Sequence, residues 1–162
     1  KYEPPLDGYE ATFEDWKTKK KGKYPFQLIT IHYGRRSHST YDNVPPLREA
    51  YPQDFMMNPR DAEALGLKEG DTVLIESEYG KCIRPLHLSE TVMPGVVTLG
   101  EGAWVEIDEE TGIDKAGATN ILCGARLSGQ GEEPWNTTIV RVEKYNGEPL
   151  LPDKYWKQRI IF

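Results

Sequence analysis

The amino-acid sequence predicts a mainly β domain with short helices, most simply a closed β-barrel. Short segments rich in β-branched residues alternate with turns, and the only helix with clear start and stop signals is short. The 162 residues include 15 glycines and 12 prolines, which favours many turns over a helical bundle. A chain of this length corresponds to about one domain of ~150 residues and can bury a hydrophobic core without disulfide support.

Six segments have the composition and alternation of strands. They are 24–33, 55–57, 72–78, 82–88, 96–99 and 137–143. Because side chains alternate along a strand, Thr30 and His32 are expected to share the face of Phe26. The turn around Gly80 predicts that 72–78 and 82–88 form a hairpin.

A short helix is predicted directly after residue 58. Asn58 is a favoured N-cap, Pro59 suits the first helical position and Gly66 ends the helix. Asp61 adds a negative charge to the first turn, where the helix dipole favours it. Such a short helix must pack against the barrel to be stable. A further helical turn is predicted at 45–50.

The predicted organisation has three parts. Residues 1–23 are expected to be a linker or arm from a preceding domain, 24–144 the barrel, and 145–162 a C-terminal tail that docks on the body or on a neighbour. The lysine-rich stretch 17–23 is typical of a solvated linker, and a basic patch facing a partner domain is the alternative. Neither a signal peptide nor a transmembrane run of 18 apolar residues is found. Since Lys1 is not an initiator methionine and residues 1–23 do not look like the start of a fold either, we expect an excised piece of a longer protein, and this piece carries no export signal.

Composition excludes several functional classes. The net charge of −6 argues against nucleic acid as the main partner. Two cysteines are too few for a disulfide scaffold or a four-ligand zinc site, and the three histidines lack metal-ligand spacing. No nucleophile elbow surrounds a serine. The sequence therefore predicts no catalytic and no metal-ligand residue within this chain.

The polar loop 34–40 after the first strand is the candidate binding element. The Arg36 guanidinium can pair bidentately with a phosphate, while the hydroxyl of Ser39 and the imidazole of His38 add hydrogen-bonding groups. The loop is therefore a candidate cradle for a pyrophosphate or a polar heterocycle, with an ordinary polar turn as the alternative. Asn120, in the long turn-rich region 100–136, either offers its amide to a ring edge or closes a turn.

Seven segments together, in the same order, resemble the C-terminal molybdopterin-dinucleotide-binding domain of the dimethyl sulfoxide reductase family. They are 28–45 with RSHSTYDN inside it, MNPRDA at 57–62, LKEGDTV at 67–73, MPGVV at 93–97, GAW at 102–104, TNIL at 119–122 and IVRV at 139–142. The resemblance covers about 24–144. Among the branches of the family, 38–43 and 102–104 look most like the catalytic subunit of anaerobic dimethyl sulfoxide reductase.

The resemblance implies a six-stranded double-psi β-barrel of the aspartate-decarboxylase-like type, the last domain of the catalytic subunit of a molybdenum oxidoreductase. It implies bis(molybdopterin guanine dinucleotide) with molybdenum as the cofactor, shared with upstream domains, and none is expected to stay bound to the isolated domain. The expected partners are the upstream domains of the same subunit, an iron–sulfur electron-transfer subunit and a membrane anchor. The parent enzyme is expected at the periplasmic face of a bacterial membrane. The fragment alone is expected to be inactive.

The resemblance also implies nine cofactor-binding residues. Contacts to the pterin and phosphates are expected from Thr30, His32, Arg36, His38 and Ser39. Contacts at the guanine end are expected from Asn58 and Asp61, and further cofactor contacts from Asn120 and Asn136. Carboxylate and carboxamide groups suit a guanine edge, which presents paired N–H donors.

Two alternatives remain open on the sequence alone. The parent enzyme is an anaerobic dimethyl sulfoxide reductase or another reductase or dehydroxylase of the family, acting on nitrate, sulfur or selenium oxyanions or phenols. From a different class, the chain is a non-catalytic double-psi barrel used for protein interaction. The polar loop 36–39 together with Asn120 discriminates between them, because an adaptor does not need these groups at the mouth of its barrel.

Overall fold

The computed structural model describes residues 7–124, 127, 131, 136–151 and 153. Two short strands, β1 (Phe13–Asp15) and β2 (Lys20–Lys21), form an antiparallel ribbon. The barrel strands are β3 (Phe26–Ile31), β4 (Phe55–Met57), β5 (Thr72–Glu76), β6 (Lys81–Leu88), β7 (Val96–Gly100) and β8 (Ile139–Lys144). The helices are α1 (Pro45–Ala50) and α2 (Pro59–Ala64), with 3₁₀ turns at Tyr9–Thr12 and Thr119–Ile121.

Six strands close a barrel in the order β3-β7-β4-β6-β5-β8. The pairs β3–β7 and β4–β6 are parallel, and the other neighbours are antiparallel. Parallel pairs need crossover connections, so the chain does not simply meander around the barrel. The predicted hairpin is confirmed, with Leu74 opposite Ile83. The predicted mainly β, closed six-stranded barrel with short helices is likewise confirmed.

The barrel interior is filled by the alternate side chains of its strands. Leu28, Phe55, Val97 and Ile75 are fully buried. Each side chain of this size stabilises the fold by about 1.5–3 kcal/mol relative to leaving it exposed. Toward the end of β3 the same face leaves the core, so Thr30 is half-buried. Core packing therefore places the end of β3 at the mouth of the barrel.

The start of α2 follows the sequence prediction. Asn58 Oδ1 accepts a hydrogen bond from the Arg60 N–H at 3.0 Å, as an N-cap does, and Asn58 Nδ2 donates to the Val92 carbonyl at 2.7 Å. One turn later, Asp61 Oδ2 accepts from the Gly95 N–H at 2.7 Å. Both side chains thus tie α2 to the turn before β7.

The segment before β3 contains an ordered ribbon that packs on itself, while the lysines at 17 and 19–21 stay exposed. The Phe13 and Trp16 rings meet edge to face with centroids 5.0 Å apart. The Lys19 ammonium lies 2.9 Å from the Trp16 ring centroid, and that of Lys21 lies 3.9 Å from Phe13. Lys21 also donates to the Pro25 carbonyl at 3.0 Å. Two lysines are held because their cationic heads sit over aromatic faces. The boundaries 1–23, 24–144 and 145–162 stay predictions.

The segment after β8 runs back along the barrel. The Tyr145 N–H donates to the Thr72 carbonyl at 2.9 Å, and the Leu150 N–H donates to the Thr72 hydroxyl at 3.2 Å. Asp153 is buried. The apolar tail residues expected to dock, Tyr155, Trp156, Ile160, Ile161 and Phe162, lie outside the described residues. Within the part of the protein that the structure describes, no helix has the length and apolarity needed to cross a membrane.

Candidate functional site

A polar pocket lies at the mouth of the barrel, where β3 and β7 end. Its volume is about 200 Å³, and its lining includes Thr30, His38, Ser39, Glu101, Gly102 and Asn120. His32 and Asn136 border this mouth pocket through direct contacts with Glu101 and Thr30. The structure therefore brings together six of the nine predicted site residues, namely Thr30, His32, His38, Ser39, Asn120 and Asn136.

Asn136 is fixed against β3 by both its side chain and its backbone. Its Oδ1 accepts from the Thr30 N–H at 2.9 Å and from the Thr30 hydroxyl at 3.2 Å, and its carbonyl accepts from Gln27 Nε2 at 2.6 Å. Because Oδ1 is used in this way, the NH₂ group of the amide is oriented by the fold, and no acceptor for it is found among the described residues. Asn136 thus presents a donor beside the mouth pocket.

Two histidines face a single carboxylate oxygen. Glu101 Oε1 lies 3.1 Å from His32 Nδ1 and 3.3 Å from His38 Nδ1. The two imidazole centroids are 6.0 Å apart with planes inclined by 63°. Their side chains are 89% and 79% exposed, so both rings are accessible to a ligand at the mouth.

The loop that carries His38 and Ser39 is pinned to residues 102–104. Trp104 Nε1 donates to the Ser39 carbonyl at 2.9 Å, and the Trp104 N–H donates to Asp42 Oδ2 at 3.0 Å. Gly102 has a φ of +84°, and a Cβ there would lie 1.8 Å from the His38 carbonyl oxygen. Only glycine permits so close an approach of the two backbones.

Arg36 differs from the sequence-based expectation, because its guanidinium points into the protein. Nη1 donates to Asp42 Oδ1 at 2.6 Å and also to Gln53 Oε1. Nε and Nη2 donate to the Glu101 carbonyl at 3.1 and 2.6 Å. Buried charge is stable only when paired and hydrogen-bonded, and Asp42 supplies that pairing. Arg36 therefore supports the mouth pocket from behind, and its donors are not presented to a phosphate.

Arg36 belongs to a buried ionic cluster that sequence reasoning missed. Asp42 Oδ1 lies 3.1 Å from Arg35 Nη2, and Asp42 Oδ2 lies 2.9 Å from Arg48 Nη2. On the other side, Asp153 Oδ1 lies 2.8 Å from Arg84 Nη2. We call this set the arginine cluster: Arg35, Arg36, Arg48, Arg84, Asp42, Asp153 and Gln53. It joins the loop after β3 to α1, to β6 and to the segment after β8.

The pKa values of the cluster reflect competition between burial and pairing. Burial raises the pKa of Asp42, but hydrogen bonds from the Trp104 N–H and Arg36 outweigh it and hold the pKa below the ordinary aspartate value. Burial also raises the pKa of Asp153, but the charges of Arg84 and Arg35 together with hydrogen bonds from the Gln53 N–H and Arg84 outweigh it, and the pKa is lowered. Burial lowers the pKa of the Arg36 guanidinium. Both carboxyl groups are thus held in the charged form.

Asn58 and Asp61 lie at a different place, at the start of α2. The Asn58 amide is engaged at both its oxygen and its nitrogen. Asp61 lines an open depression of about 450 Å³ together with Lys19, Lys21 and Pro94. The structure does not bring these two residues into the mouth pocket. Their predicted contact with a guanine end stays a prediction.

Three lining residues of the mouth pocket were not predicted as site residues, namely Glu101, Gly102 and Thr119. Glu101 carried only a weak signal, an acidic residue directly after a strand. The described residues contain no group of three histidine, cysteine, aspartate or glutamate side chains able to hold a metal ion. Hydroxyl, carboxamide and imidazole groups around a small pocket can hold a polar heterocycle by hydrogen bonds. A closed β-barrel with such a pocket among its mouth loops is suited to bind a polar organic group.

Comparison with known proteins identifies that organic group as a cofactor. The model of the family described as "Molydopterin dinucleotide binding domain" matches residues 26–138, well over half of the chain. The chain therefore belongs to the molydopterin dinucleotide binding domain family. This confirms the family named from the sequence, and it confirms the predicted cofactor, for which membership implies the molybdenum bis(molybdopterin guanine dinucleotide) form. The interaction-module alternative is not favoured.

Curated relatives are reductases of S- and N-oxides. The chain is 40% identical over 141 residues to dimethyl sulfoxide reductase DmsA of Escherichia coli (strain K12), covering 86% of this chain and 17% of that protein. It is 36% identical over 138 residues to trimethylamine-N-oxide reductase of Pasteurella multocida (strain Pm70), covering 80% of this chain and 17% of that protein. The chain thus spans less than a fifth of the length of these relatives.

A solved structure shares the fold. Acetylene hydratase from Pelobacter acetylenicus superimposes with a TM-score of 0.71 at 22% sequence identity, covering 90% of this chain and 21% of that one. At this level of identity the similarity shows the fold alone. The barrel architecture predicted from the sequence is therefore found in a larger protein as well.

Proposed function

We propose that this chain is the cofactor-binding domain of the catalytic subunit of a molybdenum oxidoreductase that reduces an S-oxide or N-oxide. The observation that carries the proposal is the mouth pocket, in which six residues at the family's expected contact positions converge from four separate segments. Two relatives that are dimethyl sulfoxide and trimethylamine-N-oxide reductases support the substrate class.

The polar groups of the mouth pocket fit the ring edge of a pterin, to which they can donate and from which they can accept hydrogen bonds. Ser39 and Asn120 are exposed and offer a hydroxyl and a carboxamide, and Asn136 offers the NH₂ group oriented by Thr30. His32 and His38 offer imidazoles at the rim. Asn58 and Asp61 remain candidates for the guanine end. Arg36 acts indirectly, since its donors hold Asp42 and the Glu101 carbonyl.

The division of labour follows from the chemistry of the cofactor. When bound, the molybdenum centre supplies oxygen-atom transfer coupled to electron transfer. This chain binds and orients one side of the cofactor and closes the barrel mouth over it. Because catalysis depends on positioning within a fraction of an ångström, the rigid loop anchored by the arginine cluster contributes to activity without touching substrate.

The proposal also covers the partners and the location of the whole enzyme. The upstream domains of the same subunit would hold the rest of the cofactor, and an iron–sulfur subunit and a membrane anchor would deliver electrons. The parent enzyme would work at the periplasmic face. These assignments rest on the resemblance to the catalytic subunit of anaerobic dimethyl sulfoxide reductase.

The proposal is tested in the full-length subunit with Ser39→Ala and Asn120→Ala combined. Loss of two hydrogen bonds costs about 0.5–1.5 kcal/mol each, so molybdenum content and pterin fluorescence of the purified enzyme should fall. Asn146→Ala is the matched control, because Asn146 is exposed and lies after β8, outside the mouth pocket. Unchanged cofactor content in the double variant would contradict the proposal.

The substrate class is tested separately with the loaded wild-type enzyme. Reduction of dimethyl sulfoxide and trimethylamine-N-oxide is expected, with the electron donor supplied chemically. Faster turnover of nitrate, of sulfur or selenium oxyanions, or of phenols would replace the S-oxide and N-oxide assignment and leave the cofactor-binding role in place.

A further inference from the structure

Glu101 is held rigidly at the mouth pocket by its own backbone. Its N–H donates to the Ile31 carbonyl at 3.0 Å, and its carbonyl accepts from both Nε and Nη2 of Arg36. The next residue, Gly102, packs directly against the His38 carbonyl. The position of the Glu101 side chain relative to the two histidines is therefore set by the fold.

The side chain of Glu101 has an unused acceptor. Oε1 is closed off from solvent, and no described residue gives it a well-aligned hydrogen bond. Leaving a buried acceptor unpaired is costly, so a donor that can reach it is strongly preferred. Both candidate donors are imidazoles whose Nδ1 atoms already lie within 3.3 Å. Because both rings are exposed, a small rotation of either completes the hydrogen bond.

The charge of Glu101 makes a direct role toward a phosphate unfavourable. The described lining of the mouth pocket contains this carboxylate and no lysine or arginine. A negative charge beside an anionic group is repulsive, whereas the two exposed imidazoles near Oε1 can donate hydrogen bonds to such a group. Glu101 is therefore better suited to orient the two histidines than to contact a phosphate directly.

We propose that Glu101 is a positioning residue that draws Nδ1 of His32 and His38 toward Oε1 and thereby presents the Nε2 edge of each ring to the group held in the mouth pocket. The hydrogen bond made by one ring nitrogen sets the protonation of the other. This inference rests on the proposed function for the nature of that group, but the orientation of the two rings is a property of this chain alone.

The ring orientation is tested by nitrogen NMR on the full 162-residue chain with labelled histidine. The spectra are recorded about two pH units above the ordinary histidine pKa of about 6.5, so that the tautomers are resolved. The third histidine is an internal reference, since His87 Nδ1 pairs with Glu69 Oε1 at 3.0 Å away from the mouth pocket.

The expected result distinguishes loss of the hydrogen bonds to Glu101 from a general loss of folded structure. Glu101→Ala should move His32 and His38 from the Nδ1–H toward the Nε2–H tautomer and leave His87 unchanged. Glu101→Gln keeps an oxygen acceptor and should retain the wild-type signature in at least one ring. Glu69→Gln should affect His87 only. Unchanged His32 and His38 signals in a folded Glu101→Ala chain overturn the proposal. A tautomer shift in Glu101→Gln as large as that in Glu101→Ala overturns it too.

The second arm uses the full-length subunit and measures retained pterin. Glu101→Ala should lower retention and Glu101→Gln should restore part of it, whereas full retention in Glu101→Ala overturns the link to the cofactor. The two proposals fail separately. If the Ser39 and Asn120 variants keep the cofactor while the histidine tautomers still shift, the proposed function is wrong and the positioning by Glu101 stands.

Discussion

Arg36 Nη1 lies 2.6 Å from Asp42 Oδ1, and both side chains are buried behind the mouth pocket. The same guanidinium donates to the carbonyl of Glu101, whose side chain faces the two histidines. The pair thus connects the interior of the domain to the binding surface. Its role is to hold the loop after β3 against the start of the loop after β7.

Arg36→Ala should destabilise the domain by about 3–5 kcal/mol, because removing one partner leaves the other charge buried and unpaired. The measurement is the free energy of unfolding in urea. Arg36→Lys, which keeps the charge but not the fork of donors, should lie between wild type and alanine. A stable Arg36→Ala protein that nevertheless loses cofactor would show a direct contact and contradict this assignment.

Acid should destabilise the domain through Asp42 and Asp153. Both have pKa values lowered in the folded state, so their stabilising effect is present above the ordinary aspartate value of about 3.9 and is lost as the pH falls through the lower folded values. The check is the urea midpoint as a function of pH below about 5. Asp42→Asn should be less stable at neutral pH and show a smaller further loss in acid. If Asp42→Asn lost as much stability in acid as the wild type does, the acid sensitivity would have to come from other groups.

Gly102→Ala should cost about 1–3 kcal/mol or more, since the added Cβ would collide with the His38 carbonyl and the φ is positive. Thermal unfolding is the measurement. Gly112→Ala is the matched control, because Gly112 also has a positive φ of +68° but nothing lies within 4 Å of the added Cβ. Equal losses in the two variants would mean that only backbone strain matters and that the close approach is unimportant.

Asn58→Ala should lower stability by about 1 kcal/mol through loss of the N-cap, with a further loss from the bond to the Val92 carbonyl. Asn58→Ser keeps a capping acceptor and loses only the bond to the Val92 carbonyl. Chemical denaturation ranks the three proteins, and wild type, serine and alanine should decrease in that order. If guanine-nucleotide retention in the full-length subunit falls more in the alanine variant than stability explains, Asn58 also contacts the cofactor.

Local features were well determined by the sequence. The β5–β6 hairpin followed from alternation around the turn at Gly80, and the start of α2 followed from Asn58 and Pro59. These depend on neighbours a few residues apart, so their signals are contiguous in the chain. The family could also be predicted from the sequence, because its motifs keep their order along 24–144. The family model matches 26–138 and confirms that prediction.

The sequence by itself thus determined the six barrel strands, the helix cap, the barrel class and the family, since each depends on local propensity or on ordered motifs, whereas the short strands β1 and β2 were not predicted. The tertiary structure alone decided which polar side chains face a ligand. It turned Arg36 inward onto Asp42, it placed Glu101 beside His32 and His38, and it set α2 apart from the mouth pocket. The physical reason is that a buried guanidinium must find an acceptor for each of its donors, and Arg36 takes two of them, Gln53 and the Glu101 carbonyl, from segments that only the closed barrel brings near.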